Sequence, residues 1–481
     1  MVRIHIYKKF PYKCIYPNIH ATSAVEASSK GQTLNHVFSP RDAAQRGWED
    51  MGLAARVEVL ARWRDAVNAA QPALIEAVSR DTGRHGESVR EAANIAKWID
   101  RWSAAAPAAL TPETKPTSNP DFHSTSCFSA IPIVGVISPW NFLMSLSLMD
   151  AIPAMLAGCA VIIKPSEVTP RFIAPLEETI AQVPELDGIL TYIRGAGEVG
   201  SALVDTADGI VFTGSTATGR KVAAQAAARL IPFFVELGGK DAAIVLEGTD
   251  LDRAAPALIT GATLGTGQQC YSIERLYVAR SLHDDLLARL VEKAQKLNLA
   301  LPEPGDGQIG PLIHAPQADI IAGHIADAVA KGATVHTGGE IEHHGGGTWI
   351  APTVLSGVTH DMQIMREESF GPLLPVMAFD TEEEAIALAN DTKYGLSGAV
   401  FGPPDRAMAV AKRMRAGGIN VNDAGATPFF IGDPTVCNKE AFGESGLGGS
   451  RSGKDSIKRF VVQKMIVENV TRGRSAWWYD V

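Results

Sequence analysis

Cys270 is the residue of this chain whose type and setting most directly suggest covalent chemistry. It ends GTGQQC at residues 265–270, between an apolar, glycine-dotted stretch and the alternating run IERLYV. A cysteine thiolate attacks carbonyl carbon and leaves again once the acyl group is hydrolysed. A free cysteine is more often a small buried hydrophobe, which is how we interpret Cys159 in LAGCAVII. Its immediate neighbours alone leave both interpretations of Cys270 open.

A glycine triplet gives a weak nucleotide-binding signal. ILTYIRGAGEVGSALVD places Gly195, Gly197 and Gly200 between a predicted strand and a helix start, which is the context of the dinucleotide fingerprint. That fingerprint also needs an acidic residue at the tip of the next strand, where it holds a ribose. GIVFTGSTATGR has no acidic residue there, so the sequence does not match the complete dinucleotide-binding fingerprint.

Two other strand ends make nucleotide binding the better hypothesis. VIIKPSE leaves Lys164 and Glu167 at the carboxyl end of a strand, where open α/β sheets bind ligands. A carboxylate there suits the two hydroxyls of an NAD ribose and would repel a 2′-phosphate. FTGSTATG supplies Gly214, Ser215 and Gly219 at the start of a helix, whose free N–H groups could meet a phosphate. Either loop alone could be an ordinary strand-to-helix turn.

The periodicity of the chain predicts the elements that position these residues. From about 39 to 110, apolar residues recur at helical spacing. AIPIVGVISP, CAVIIKP, GILTYIRG and DGIVFTG are then short apolar runs separated by helix-sized segments, which predicts a parallel sheet covered by helices. A second series of the same kind follows Gly238. GKDSIKRFVVQKMIVENV near the end is β-like and could pair with the polar excursion around 115–130.

Composition and charge narrow the class of protein. A chain of 481 residues with 46 % hydrophobic and 20 % charged residues predicts a globular α/β protein with two large lobes. A net charge of −9 argues against nucleic acid as a partner. The five cysteines are widely spread and the histidines match no ligand spacing, so we expect a reducing, cytoplasmic location and no metal. The start lacks a signal-peptide core, and the longest apolar stretch, 131–163, carries polar residues and prolines, so no membrane association is expected.

Eight short motifs connect these separate signals. They are SPWNF (138–142), IIKPSE (162–167), FTGST (212–216), ELGGKD (236–241), GQQC (267–270), EESFGP (367–372), YGLSG (394–398) and FGESGLG (442–448). In this order and at this approximate spacing, they resemble the aldehyde dehydrogenase superfamily, in its NAD(P)-dependent, hydrolytic, non-acylating branch. The resemblance extends from about residue 40 to residue 470.

The resemblance implies a role for each catalytic residue. Cys270 matches the nucleophile, whose attack on an aldehyde gives a thiohemiacetal. The Asn141 side-chain amide and the Cys270 backbone N–H match the donors for its oxyanion. Loss of hydride to the nicotinamide leaves a thioester, and Glu236 matches the general base that activates water to hydrolyse it.

The resemblance also implies the cofactor site. NAD is expected, with NADP possible. The matching residues are Trp140, Lys164 and Glu167 around the adenosine ribose, Gly214 and Ser215 near the diphosphate, with Gly219 on the same loop, and Glu368 and Phe370 near the nicotinamide ribose.

The substrate pocket is predicted from position along the chain. The candidates are Phe142, Leu146 and Met149 on one helix face, Tyr271 after the nucleophile, and Phe429 and Phe430 in the entry loop. Such residues favour an apolar or aromatic aldehyde over a carboxylate-bearing semialdehyde, which would want an arginine. A semialdehyde dehydrogenase remains the alternative on the substrate side.

The resemblance implies an α/β fold with a Rossmann-like dinucleotide-binding domain, an α/β catalytic domain and a small β oligomerisation (bridging) element. We assign 1–111 and 131–238 to the first, 239–447 to the second, and 112–130 with 448–481 to the third. Family architecture implies a homodimer or a homotetramer.

Two other functions stay open, and some residues depart from the family pattern. A CoA-acylating relative would typically lack the glutamate found here as Glu236, and a non-catalytic relative would not need Cys270, Asn141 and Glu236 together. Residues 1–38 do not look like the family's usual opening. Leu143 stands where the family commonly has proline, and Glu440 stands where it commonly has proline or glycine. Substrate specificity is therefore the least determined property.

Overall fold

The computed structural model describes residues 41–471, 473–475 and 477–479. The atypical opening 1–38 and part of the aromatic tail SAWWYDV therefore lie outside the described residues. No helix in the described part of the chain is long and apolar enough to cross a membrane.

Helices and strands alternate along most of the chain. The helices are α1 Arg41–Asp50, α2 Gly52–Thr82, α3 His85–Leu110, α4 Ser145–Ala157, α5 Ile173–Ala181, α6 Gly197–Thr206, α7 Thr216–Ala228, α8 Leu251–Thr263, α9 His283–Gln295, α10 Gln317–Ala330, α11 Gln363–Arg366, α12 Glu382–Asn390, α13 Pro404–Ala411 and α14 Thr427–Phe430. The strands are β1 Thr114–Pro116, β2 Phe122–Ala130, β3 Ile133–Ile137, β4 Ala160–Lys164, β5 Leu190–Tyr192, β6 Gly209–Thr213, β7 Phe233–Glu236, β8 Asp241–Val245, β9 Ile273–Ala279, β10 Thr334–Thr337, β11 Ile341–His344, β12 Gly347–Ile350, β13 Thr353–Ser356, β14 Leu373–Phe379, β15 Ser397–Phe401, β16 Gly418–Val421, β17 Gly446–Leu447 and β18 Val461–Asn469.

A parallel sheet with the order β17-β7-β6-β3-β4-β5 forms the first lobe. Strands β3 to β7 run parallel, as the apolar runs predict, and only the two-residue β17 is antiparallel. Residues of β3, β4 and β6 are fully buried because helices cover both faces. Helices α2, α3 and α4 pack on this lobe around Trp63 and Trp102, both completely buried. The parallel order brings the carboxyl ends of the strands to one edge.

A second sheet, in the order β10-β13-β14-β9-β8-β15-β16, forms the second lobe. Its strands are parallel except for the edge pair β10 and β13. Every residue of β8, β9 and β15 is buried. This lobe carries Cys270, between α8 and β9, and Glu368, before β14.

A separate antiparallel sheet, β1-β2-β18, connects an early segment to a late one. Strand β18 pairs with β2 along its whole length, from Val461 opposite Ala130 to Asn469 opposite Phe122. This confirms the pairing predicted between the excursion and the end of the chain. Between its first and last residues, β18 is exposed, including Met465 and Ile466.

Candidate active site

A cleft of about 860 Å³ lies at the carboxyl ends of β3, β4 and β6 and faces the second lobe. Ten of the residues predicted from sequence line it: Trp140, Asn141, Leu146, Lys164, Glu167, Gly214, Ser215, Cys270, Glu368 and Phe370. Residues that are more than 200 positions apart in the sequence thus line the same cleft.

The loop that carries Cys270 has an unusual backbone. Gly265, Thr266 and Gly267 all have positive φ, at 61°, 61° and 65°. A side chain on Gly267 would place its Cβ 2.2 Å from the carbonyl oxygen of Gly371, so only glycine fits there. The Thr266 hydroxyl donates to the Gly310 carbonyl at 3.1 Å, which stabilises a conformation that threonine seldom adopts.

The Gln268 side chain joins the same loop to residues 311–313 by two hydrogen bonds. Its Nε2 donates to the Pro311 carbonyl at 3.0 Å, and its Oε1 accepts the backbone N–H of Ile313 at 2.9 Å. The side chain is completely buried. The two bonds fix the backbone immediately before the cysteine.

Cys270 itself is half-buried and opens onto the cleft. Burial raises the pKa of its thiol, and the nearby Glu236 carboxylate raises it further. Asp241 and Glu368 act in the same direction. The thiol is therefore neutral at rest, and attack on a carbonyl requires a proton acceptor.

Asn141 lies directly against the cysteine loop. It is buried, and its Nδ2 donates to the Gln268 carbonyl at 3.0 Å. A carboxamide nitrogen has two hydrogens, so one N–H remains available to an oxygen atom in the cleft. The bond holds this donor next to the segment that ends in Cys270.

Glu236 ends β7 and is buried, and it is not among the residues that line the cleft, although its neighbours Leu237 and Gly238 are. Arg451, Arg459 and Asp150 form a charge cluster near Glu236. Arg451 lies 3.0 Å from Asp150 and donates to Thr213 at 2.6 Å, and the negative charges of Asp150 and Glu236 both act on it. Arg459 donates to the other oxygen of Asp150 at 2.9 Å. Sequence analysis missed this charge cluster, because its members come from distant segments.

Glu368 reaches the site from the second lobe. Its Oε1 accepts the backbone N–H of Gly239 at 2.8 Å. Burial, followed by the charge of Glu274, raises its pKa to about 8. Glu274 forms a buried pair with Lys240 at 2.6 Å and accepts the backbone N–H of Phe370 at 2.8 Å. This pair fixes the Glu368–Phe370 segment, and the sequence pointed to no role for it, although Lys240 lies within ELGGKD.

The cleft lining also includes the residues predicted to bind the ribose and the phosphates. Lys164 and Glu167 form an ion pair at 3.0 Å, with Lys164 buried and Glu167 half exposed. Burial opposes ionisation of Glu167, but its own backbone N–H and Lys164 together lower its pKa. Ser215 caps α7 by accepting the Thr218 N–H at 3.3 Å. Gly214, Ser215 and Thr218 of this helix end line the cleft.

Aromatic rings close the cleft between the lobes. The Trp140 and Phe370 rings meet edge to face at 5.4 Å, and Trp140 lies 5.7 Å from the His314 ring. Phe370 has a φ of 52°, which turns the chain so that its ring faces the cleft. The described residues hold no group of three or more histidine, cysteine, aspartate or glutamate side chains that could bind a metal ion.

Several predicted residues are not brought to the cleft wall. Gly219 lies inside α7, where an added Cβ would contact Leu237 at 2.3 Å, so helix packing explains this glycine. Met149 is buried in the core of the first lobe and is not among the residues that line the cleft. Phe142 packs beneath a guanidinium, and Phe429 is largely exposed.

A second cavity of about 440 Å³ lies beside the edge strand β16. Phe430 lines it, together with Lys439, which sequence analysis did not select. The Lys439 Nζ is buried without a hydrogen-bond partner among the described residues, 5.0 Å above the Tyr271 ring. The Tyr271 hydroxyl is likewise buried and unpaired within the described part of the chain. Tyr271 follows Cys270 in the sequence, and Lys439 is near enough for its charge to act on the Cys270 thiol.

Comparisons with known proteins agree on one family. The model of the aldehyde dehydrogenase family matches residues 8–466, starting inside the segment whose sequence departs from the usual opening. A putative succinate-semialdehyde dehydrogenase [NADP(+)] of Mycolicibacterium smegmatis is 36 % identical over 433 residues, covering 89 % of this chain and 83 % of that protein.

Solved structures give the same result. The putative aldehyde dehydrogenase PutA from Anabaena variabilis is 46 % identical, with a TM-score of 0.91 over 94 % of this chain and 96 % of that one. Betaine aldehyde dehydrogenase from Staphylococcus aureus in complex with NAD+ is 28 % identical, with a TM-score of 0.83 over 91 % of this chain and 88 % of that one.

Proposed function

Since the chain belongs to the aldehyde dehydrogenase family, we propose that it oxidises an aldehyde to the free carboxylic acid and reduces NAD+, using Cys270, Asn141 and Glu236. One observation carries the proposal: the Asn141 amide is bonded at 3.0 Å to the loop that ends in Cys270, at the wall of the cleft. A nucleophile and an oxyanion donor are thereby fixed together. The direct test is NADH formation with a panel of aldehydes, with the acid identified as product.

Each residue then has a defined task. The Cys270 thiol gives its proton to water in the open cleft, and the thiolate sulfur attacks the carbonyl carbon. The C=O electron pair moves to the oxygen, which accepts hydrogen bonds from the Asn141 amide and the Cys270 N–H. Bound NAD+ supplies the acceptor for the hydride that leaves this carbon. Glu236 then removes a proton from the water that attacks the thioester, and the Cys270 thiolate departs.

Because water accepts the acyl group in this reaction, addition of coenzyme A should not accelerate turnover.

The residues of the cleft fit a dinucleotide. The Glu167 carboxylate offers acceptors for ribose hydroxyls, and the N-terminal turn of α7 after Gly214 offers backbone N–H groups for a diphosphate. Glu368 and Phe370 lie at the Cys270 end, where a nicotinamide ribose would be held. This set supports NAD+ as the preferred cofactor.

Replacing Glu167 by serine is expected to change cofactor preference. The substitution removes a charge that repels a 2′-phosphate and releases Lys164, now paired at 3.0 Å, to bind one. The ratio of kcat/KM for NADP+ to that for NAD+ should rise by at least about tenfold, which corresponds to one ordinary charged interaction. Initial rates with both cofactors measure it. The control is Glu177→Gln, whose carboxylate pairs with Arg194 away from the cleft lining, and an unchanged ratio in Glu167→Ser would refute the assignment.

One observation supports a carboxylate-bearing aldehyde as a second candidate, beside the apolar or aromatic class that the rings around the site suggest. A buried ammonium without a hydrogen-bond partner is unfavourable, and Lys439 is in that position beside Tyr271. The carboxylate of a semialdehyde would satisfy both Lys439 and the Tyr271 hydroxyl. The semialdehyde alternative therefore becomes the second candidate, with a lysine where an arginine was expected.

Replacing Lys439 by methionine decides between the two substrate classes. If Lys439 binds a carboxylate, KM for succinic semialdehyde should rise by about 10- to 100-fold, the usual cost of a lost charged hydrogen bond, while KM for butanal stays within a factor of two. Steady-state assays with both aldehydes measure this. The exposed Lys412→Met is the matched control. A parallel loss for both aldehydes would refute carboxylate recognition.

We also propose that the chain forms a homodimer or a homotetramer through the β1-β2-β18 sheet. The exposed residues of β18 include Val462, Met465, Ile466 and Val467. An exposed edge strand with apolar side chains is a ready surface for pairing with a second copy.

A further inference from the structure

Arg84 is a buried arginine that contacts the two chain segments carrying the proposed oxyanion site, one at Asn141 and the other at Gly265. It lies between α2 and α3, just after Gly83, whose φ of 64° ends α2. Its Nη1 donates to the Gly265 carbonyl at 3.0 Å, and its Nη2 donates to the Asn141 carbonyl. One side chain thus connects Asn141 to Gly265, at the start of the loop that carries Cys270.

The guanidinium is closely enclosed by the site. It lies over the Phe142 ring, 5.0 Å from the centroid. A Cβ on Gly265 would lie 2.9 Å from the Arg84 Nη1 and 3.5 Å from the Phe142 ring, so no side chain fits between them. A Cβ on Gly310 would lie 2.6 Å from the Arg84 Cγ. Glycines at 265 and 310 therefore make room for this arginine.

The charge of Arg84 is directed at backbone carbonyls. Within the described residues it forms no ion pair closer than 4.0 Å, although Glu87 and Glu91 are near enough for their charges to act on it. Glu91 holds the same segment from the other side, because its Oε2 accepts the N–H groups of Met144 and Ser145 at 3.1 and 2.9 Å. Arg84 in the α2–α3 turn and Glu91 in α3 thus both hold the segment that begins at Asn141.

We propose that Arg84 is the positioning residue of the oxyanion site: by bridging the carbonyls of Asn141 and Gly265, it sets the distance between the amide donor and the cysteine loop. The inference rests on the proposed function. Oxyanion donors act only within about 2.7–3.1 Å of the developing charge, so the two segments must be held in register. Only a planar, forked donor reaches two diverging carbonyls at once.

The experiment compares Arg84→Met and Arg84→Lys with Arg56→Met. Arg56 is a matched control because it is also buried and also donates to backbone carbonyls, those of Trp48, Glu49 and Leu156, outside the cleft. Three quantities are measured per folded molecule: kcat for aldehyde oxidation, the rate of p-nitrophenyl acetate hydrolysis without cofactor, and Kd for NAD+. Ester hydrolysis requires the nucleophile and the oxyanion donors but no dinucleotide.

Arg84→Met should lower both rates by about 10- to 100-fold, the cost of displacing a catalytic group by about 1 Å, and leave Kd for NAD+ within a factor of two. Arg84→Lys, which can replace one of the two bonds, should fall between Arg84→Met and wild type. Arg56→Met should lose stability and keep both rates.

Two results would overturn the inference: an Arg84→Met ester rate within a factor of two of wild type, or an equal loss in Arg56→Met. If Arg84→Met does not fold, Arg84→Lys decides on the same criteria. A wild-type protein that hydrolyses the ester but oxidises no aldehyde would instead refute the proposed function, while the ester rates of the variants would still decide the role of Arg84.

Discussion

Replacing Cys270 by alanine is expected to abolish aldehyde oxidation, with a fall in kcat of at least about 10⁴-fold, as for other residues that form the covalent intermediate. Without the sulfur, neither the thiohemiacetal nor the thioester can form, and the remaining Asn141 donor stabilises no adduct. The fold should survive, because the half-buried side chain opens onto the cleft and its loss leaves no enclosed cavity. Steady-state NADH formation measures the effect.

The same variant separates chemistry from cofactor binding. Kd for NAD+, measured by calorimetry, should stay within a factor of two, because the groups assigned to the dinucleotide are intact. Cys127→Ser is the control, since Cys127 lies on β2 in the separate antiparallel sheet and its loss should leave kcat unchanged. Persistent dehydrogenase activity in Cys270→Ala would show that the nucleophile is another residue.

Replacing Glu236 by glutamine is expected to divide the reaction in two. NADH should appear in a rapid burst of about one equivalent per site, because attack and oxidation do not need the general base for water. Steady turnover should then fall by about 10²- to 10⁴-fold, the usual contribution of a general base. Stopped-flow absorbance measures both phases. The exposed Glu247→Gln serves as control, and an unchanged steady rate in Glu236→Gln would contradict the assignment.

The same substitution tests the electrostatics around the thiol. The Glu236 carboxylate raises the pKa of Cys270, so removing its charge should lower that pKa and increase the thiolate fraction. At pH 7.5 the rate of alkylation by iodoacetamide should therefore rise, by up to about tenfold for each pKa unit lost. A slower alkylation would mean that Glu236 also accepts the proton of the thiol.

The sequence predicted the residues that belong to motifs and the elements with a clear period. Strands β3, β4 and β6 could be recognised because they are continuous apolar runs that end at glycine or proline. The resemblance to the family then placed Asn141 and Cys270 in one site, and the structure puts both on the same cleft. Neither spacing nor composition could have joined two residues that lie 129 positions apart.

The residues that escaped prediction act over long distances and carry charges. Arg84 follows a helix in a polar stretch, which is typical of a solvated turn, yet it is buried because two distant carbonyls converge on it. Lys439 looks like an ordinary loop lysine, and only the fold brings it over Tyr271. Periodicity likewise placed Met149 on a shared face with Leu146, but it could not tell which of the two reaches the cleft.

The bond between Arg84 and the Gly265 carbonyl spans 181 residues, and this has a consequence for how the enzyme matures. Contacts between such distant segments form late, because the intervening chain must first be ordered. Helices α2 and α3 can condense early from local interactions, while the nucleophile loop acquires its geometry only when both lobes have met. During refolding, helical ellipticity should therefore recover before p-nitrophenyl acetate hydrolysis, and a ribosome-bound chain remains catalytically silent until the second lobe has emerged.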